Sequence, residues 1–299
     1  MGYALDKESY CRSWEVKDSL QSRQMNLLVS HLRGTWISLL AMFFFATLLL
    51  GATAPAIAAP QMGLAPRIHW GRSDGSWLST NWSGYAVNGS AGSVSDVKGS
   101  WKVPAIVGSC PTTSQYSSFW VGIDGFSSNT VEQIGTDSDC QNGRAVYYAW
   151  YEFYPSPSYT ISSFTVKTGD TISAEVNYSN SKFTVSIVDV TTGKSYSTSA
   201  TVRSAQRSSA EWIAEAPSSS RGVLPLADFG TVSLGSDNTG VSATCYATVS
   251  GSTKALGSFG SSVQELTMVT SSGKTVKAQP SSVSKDGTSF SVVWKNSGP

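Results

Sequence analysis

From Asn81 onward, apolar and polar residues alternate with a period of two in short runs broken by turn residues, and no window keeps a helical period for more than about two turns. Residues 171–178 place Ile172, Ala174, Val176 and Tyr178 on one face. Ser179, Asn180 and Ser181 then turn the chain, and residues 182–190 resume with Phe183, Val185 and Ile187 on one side. Thr191-Thr192-Gly193-Lys194 turns it again, so this region predicts a meander. Residues 266–270, the turn at 271–274 and residues 290–294 repeat the pattern and are predicted to join the same layers. No internal repeat or linker-like run interrupts the domain. Short strands at turn spacings of roughly 8 to 12 residues predict an all-β sandwich or jelly roll, an architecture that hosts lectins, glycosidases and peptidases alike.

The N-terminal part breaks the pattern. Residues 36–50 are strongly apolar, follow Arg33, and run on to Ala54-Pro55-Ala56-Ile57-Ala58-Ala59. A positive start, an apolar middle and a small-residue end are the layout of a signal peptide cleaved near Ala58 or Ala59. The competing reading is an uncleaved anchor, because the apolar stretch with its tail approaches the roughly 20 residues of a spanning helix. The Ala-Pro-Ala end favours cleavage, which predicts a secreted chain with no stable membrane association afterwards. The polar stretch before Met25 suggests that Met25 is the true initiator. Residues 1–59 are therefore read as leader, 60–79 as a loose, unpatterned arm or short pro-segment, and 80–299 as the folded domain.

Composition narrows the chemistry. The chain has 299 residues with Lys plus Arg at 21 and Asp plus Glu at 20, which suits one large core and no strong charge bias. No basic stripe with interleaved aromatics appears, which argues against a nucleic-acid partner. Past the leader, three cysteines remain. Export favours a disulfide, and Cys110 and Cys140 flank a segment able to fold back as a hairpin, whereas Cys245 reads as a small buried side chain on a strand. His69 is the single histidine beyond the leader and lies in the arm. Ser-His-Asp and Cys-His machinery needs an imidazole held by the core, so those classes lose their footing. Zinc sites of several His and Cys fail likewise, no Gly-rich phosphate loop follows a strand, and neither metal nor cofactor is expected.

Carboxylates remain. Asp124, Glu132, Glu152, Glu211, Glu215 and Asp228 lie among apolar or aromatic residues, while Asp96, Asp170, Asp237 and Asp286 sit in turn-like contexts. Alternation puts Tyr148, Trp150, Glu152 and Tyr154 on one face of a strand, Trp120, Gly122 and Asp124 on a face of another, and Glu211, Ile213 and Glu215 on a face of a third. A carboxylate between aromatic neighbours must find a partner or open onto a groove. By spacing alone, either Glu211 or Glu215 also reads as the solvent-side residue of an edge strand.

The runs Trp120-Val121-Gly122-Ile123-Asp124-Gly125, Gln133-Ile134-Gly135, Ala149-Trp150-Tyr151-Glu152, Ala210-Glu211-Trp212-Ile213-Ala214-Glu215 and Leu226-Ala227-Asp228-Phe229-Gly230, in that order, resemble the glutamic peptidases, or eqolisins. Asn81-Trp82-Ser83-Gly84 and Trp101-Lys102-Val103-Pro104 fit the opening of that domain. The resemblance implies a sandwich of two bent antiparallel sheets of concanavalin-like, jelly-roll type. It implies a catalytic pair, which falls on Gln133 and Glu215, and places Trp82, Trp120, Asp124, Trp150 and Glu152 around the cleft, with Asp124 or Glu152 holding the Gln133 amide. A polypeptide substrate, acid-range endopeptidase activity and a monomeric enzyme follow as expectations. Against this stand a glycosidase using Glu152 with Glu215, as aromatic clefts with two carboxylates suggest, and a non-catalytic sugar-binding module stacking rings on Trp82, Trp101, Trp120 and Trp150. The amide at Gln133, which can serve as neither acid nor nucleophile, separates the peptidase from the glycosidase. Sugar affinity without hydrolysis would mark the module.

Overall fold

The computed structural model describes residues 65–73 and 75–298. The leader, Met25 and residues 60–64 of the arm lie outside the described residues. The alternating segments form β1 (His69–Ser73), β2 (Ser76–Ser79), β3 (Trp82–Asn88), β4 (Val94–Lys102), β5 (Ser118–Ile123), β6 (Val131–Gln141), β7 (Arg144–Tyr154), β8 (Tyr159–Thr160), β9 (Thr171–Ser179), β10 (Lys182–Asp189), β11 (Lys194–Ala200) and β12 (Ser209–Glu215). After them come β13 (Ser218–Ser219), β14 (Gly222–Val223), β15 (Thr231–Gly235), β16 (Tyr246–Val249), β17 (Ser252–Ala255), β18 (Val263–Val269), β19 (Val276–Pro280) and β20 (Ser289–Trp294). Helix is confined, among the described residues, to one turn at Ser236–Thr239 and a short 3-10 segment at Leu256–Ser262.

Pairing arranges most of these strands in two layers. The first runs β1, β2, β18, β3, β12, β5, β6, β7, β8. In the second, β4 pairs β9, which continues through the expected meander to β10 and β11, while on its other side β4 meets β16 and β15, and β15 leads to β20 and β19. The hydrogen-bond ladder is continuous, because β18 also pairs β19. Strands without mutual hydrogen bonds, such as β5 with β9 and β12 with β4, pack face to face.

Period-two alternation decides what each face of the first layer carries. Tyr85, Val87, Phe119, Val121, Ile134, Ala210, Trp212 and Ala214 point between the layers and meet Trp101, Ile172, Val176, Phe183 and Val185 in the main core. The alternate residues Trp82, Ala86, Trp120, Val131, Trp150 and Ile213 form a second apolar cluster with Phe126 and Leu266 on the opposite face. Cys110 is bonded to Cys140, tying the loop before β5 to the end of β6 across the antiparallel β5–β6 pair. Cys245 is free and buried in the main core, immediately before β16 rather than on it.

One segment departs from its expected form. Residues 69–79 were read as unpatterned, yet β1 and β2 pair antiparallel, and β2 adds in parallel to β18, the one parallel strand pairing in a layer otherwise antiparallel. The segment is too short and polar to show alternation, and the edge backbone of β18 supplies the order that its own sequence does not.

Burying carboxyls is the fold's chief electrostatic burden. Desolvation, helped by the charge of Asp124, pushes Glu132 up to about 9. Desolvation pushes Asp137 up to about 7, opposed by donors from Ser118, Tyr148 and Trp150, and Asp96 up to about 6. Glu211 and Asp139 rise well above the carboxylate range for the same first cause. A carboxyl that holds its proton more tightly folded than unfolded contributes most below its unfolded value near 4, and that contribution is lost as pH climbs through the folded value. Lys277, buried and pushed down to about 8, acts in the opposite sense, but only above about pH 8. Urea midpoints are therefore expected to be highest near pH 4 and to fall steadily toward about pH 9; a midpoint that is flat or rises over that window would contradict the assignment.

Candidate active site

The register of five adjacent strands sets the site out in three rows across the outer face of the first layer. One row runs Trp82, Glu215, Ser118, Asp137, Tyr148; the next Gly84, Ile213, Trp120, Gly135, Trp150; the third Ala86, Glu211, Gly122, Gln133, Glu152. Gln133 and Glu152 are direct cross-strand partners, and the Gln133 amide Nε2 donates to Glu152 Oε2 at 2.8 Å. An ionised carboxylate can only accept, so this contact turns the amide nitrogen of Gln133 toward Glu152. The second N–H of the same nitrogen remains for another acceptor.

Trp120 links the two ends of the site. Its indole N–H donates to Glu215 Oε2 at 2.9 Å, and Asn81 Nδ2 donates to Glu215 Oε1 at 3.3 Å. The far end of the same indole lies over Gly122, where a Cβ would stand 2.8 Å from Cζ3 of Trp120 and 3.2 Å from Cβ of Gln133. At Gly135 a Cβ would come within 2.6 Å of Trp120 Cβ and 3.0 Å of Trp150 Cζ2. Gly122, the glycine of the Gly-x-Asp motif, thus leaves room for the indole between the Gln133 and Glu215 ends of the face, whereas a side chain at Gly135 would first meet the Phe119 carbonyl. Trp82 meets that indole edge-on, with ring centroids 4.9 Å apart.

Glu215 is buried in this aromatic setting, and desolvation raises its pKa well above the carboxylate range, the nearby charge of Glu152 adding to the rise. The donors from Trp120 and Asn81 oppose it, as does the Trp82 indole, which lies near Glu215 without hydrogen-bond geometry. The influence of Glu152 on Glu215 also places the Gln133–Glu152 pair within electrostatic reach of Glu215.

Asp124 does not hold the Gln133 amide. It has left-handed backbone with φ of 75°, and its carboxylate accepts from the backbone N–H of Gln206, Arg207 and Ser208 at 2.7, 2.6 and 2.9 Å and from the Ser208 hydroxyl at 3.0 Å. Strand alternation fails here because β5 ends at Ile123. Asp124 therefore fixes the segment that leads into β12. Glu211 lies in the Gln133 row, but its carboxyl is influenced by Asp124 and Glu132 rather than by Glu152.

The sequence reading passed over Asp137, Asp139 and the role of Asn81. Asp137 accepts from the Trp150 indole at 2.5 Å, and Asp139 accepts from the Ser117 backbone and from the Tyr148 hydroxyl, each at 3.0 Å. Both continue the alternation of Gln133 and Gly135 along β6, which was the available signal. Among the described residues, no three His, Cys, Asp or Glu side chains converge as metal ligands.

The Peptidase A4 family model matches residues 80–281. Aspergillopepsin-2 of Aspergillus niger is 32% identical over 178 residues, covering 52% of this chain and 62% of the relative. Scytalidopepsin B of Scytalidium lignicola is 33% identical over 143 residues, 46% and 52% of the two chains. The match thus spans between half and two thirds of these relatives' length. Among solved structures, scytalido-glutamic peptidase with a transition state analog inhibitor superposes with a TM-score of 0.59 at 26% identity, covering 72% of this chain and 98% of the other. Aspergilloglutamic peptidase from Aspergillus niger gives 0.51 at 28%, covering 60% and 99%. With the family model matching more than half of its length, the chain belongs to the Peptidase A4 family.

Proposed function

We propose that the protein is a secreted glutamic endopeptidase in which Glu215 and Gln133 hydrolyse peptide bonds. The observation that carries this reading is a buried glutamate, held by two N–H donors, on the same face as an amide whose orientation a second glutamate fixes. Ionised Glu215 takes a proton from a water molecule as that water attacks the peptide carbonyl. The protonated carboxyl then returns the proton to the departing amine as the C–N bond breaks. The second N–H of Gln133 Nε2 donates to the oxyanion formed in between. Being uncharged, Gln133 does not compete with Glu215 for a proton as a second carboxylate would.

The raised proton affinity of Glu215 suits this double duty, since the group is a stronger base when ionised and remains a competent acid. Trp82, Trp120 and Trp150 supply apolar walls. The enzyme is proposed to act as a monomer. Secretion is supported by the leader pattern and by the Cys110–Cys140 bond.

Cleavage of a denatured protein across roughly pH 2 to 7 tests the pair. The parent is expected to cleave in the acid range, Glu215→Gln to be inactive, and Gln133→Ala to lose about 10²- to 10³-fold in kcat. Glu211→Gln, at a carboxyl that burial pushes toward its protonated form, is expected to retain activity. Full activity in the Glu215 or Gln133 variant would overturn the assignment. Trp120→Phe removes one donor to the anion and is expected to move the acid limb of kcat/KM upward by about one pH unit; an unmoved limb would remove Trp120 from this role.

A further inference from the structure

The chain preceding β1 lies against the same face as the candidate site. Asn81 Nδ2, the amide that donates to Glu215, also reaches the carbonyls of Ala65 and Pro66 at 3.3 and 3.4 Å, and Asn81 Oδ1 accepts from the backbone N–H of Ile68 at 2.7 Å. The next residue, Thr80, donates its backbone N–H to the Ile68 carbonyl at 3.1 Å. From its other side the segment is held by the loop after β5, where Arg67 donates its backbone N–H to the Gly125 carbonyl and its Nε to the Phe126 carbonyl, each at 3.0 Å. The segment thus touches both the residue that donates to Glu215 and the loop that begins at Asp124.

The Arg67 side chain occupies a defined slot. Its guanidinium lies 4.2 Å from the centroid of the Phe126 ring and 5.0 Å from that of Trp77, two rings that stand edge to face at 5.7 Å. Phe126 belongs to the apolar cluster around Trp82, Trp120 and Trp150, and Trp77 packs against it, so the slot is continuous with the cleft wall. Arg67 Nη1 is buried without a hydrogen-bond acceptor, and among the described residues no carboxylate pairs with the group; aromatic faces and one carbonyl hold a planar cation instead. Burial accordingly lowers the Arg67 pKa to about 10. A slot of this kind, with apolar walls and one polar anchor, is what a peptide-binding cleft uses to select side chains.

We propose that Trp77, Phe126 and the Phe126 carbonyl form a guanidinium subsite of the cleft, and that Arg67 fills it as a tethered occupant which an arginine-bearing peptide must displace. The proposal rests on the peptidase reading above and deepens it, giving the cleft both a preferred side chain and a built-in competitor. Displacement requires no rearrangement of the sheet, because the contacts of Ala65, Pro66 and Arg67 in question are to Asn81 and to the loop at 125–126.

The test uses the full chain and its Arg67→Ala variant with two synthetic octapeptides, one copying residues 62–69 and one with alanine in place of the arginine. The variant is expected to show kcat/KM about tenfold higher on an arginine-containing peptide, through a lower KM at unchanged kcat. The arginine octapeptide should inhibit it competitively and about tenfold more tightly than the alanine one. An unchanged kcat/KM with equal inhibition by the two octapeptides overturns the subsite, even if thermal stability drops, since a merely structural contact would move the melting temperature alone. Calorimetric binding of the octapeptides to Arg67→Ala is read independently of turnover. If no chain cleaves any substrate but the arginine peptide still binds about tenfold more tightly, the peptidase reading fails and the subsite stands; equal binding sinks the subsite.

Discussion

The position of the Trp120 indole governs the site. One end of it donates a hydrogen bond to Glu215 and the other lies over Gly122 beside Gln133, so the ring spans the distance between the proposed base and the proposed oxyanion donor. A side chain at Gly122 would collide with it, since its Cβ would stand 2.8 Å from Trp120 Cζ3. Trp82 abuts the ring edge-on, and Trp150, in the same row, turns its own N–H to Asp137. The result is a dry aromatic floor in which a carboxyl keeps its proton more tightly than in water while two N–H groups stabilise its anion. A base of that kind depends on the rigidity of the β3–β12–β5–β6–β7 sheet rather than on a mobile loop, which agrees with the rule that preorganised dipoles, not flexible ones, carry electrostatic stabilisation.

The same economy of water explains the unusual load of buried acids. Glu132, Asp137, Asp139, Glu211 and Glu215 are all held in their protonated direction by burial, and only some are used by the proposed chemistry. A protein built this way tolerates acid because protonation has little left to disrupt: carboxyls such as Glu132 and Asp137, pushed up to about 9 and about 7, keep their protons in the core through the acid range. The corresponding weakness is at higher pH, where ionisation must either expel these side chains or leave charges stranded between sheets.

Much of the fold was legible because alternation is a direct record of which face is buried. The β9–β10–β11 meander and the division of β12 into Trp212 inside and Glu215 outside follow from it. Register is not written in a single strand, and the site depends on register: Gln133 faces Glu152 only because β6 and β7 pair as they do. Asp124 was misplaced because a strand end with left-handed backbone breaks the period on which the inference relied. The β1–β2 pair was invisible for a different reason, since its order comes from the edge of β18. Asp137 and Asp139 had a readable signal in the alternation of β6, but Ser138, Asp139 and Gln141 make that stretch look like a turn.

The most direct measurement is a ¹³C-carboxyl NMR titration of glutamate-labelled protein, with Glu215→Gln identifying the Glu215 resonance and Trp120→Phe perturbing it. The account predicts a Glu215 carboxyl that titrates clearly above the ordinary glutamate value of about 4.3 in the parent and higher still once the indole donor is gone. A Glu215 resonance that titrates at the ordinary value and ignores the Trp120 substitution would contradict it.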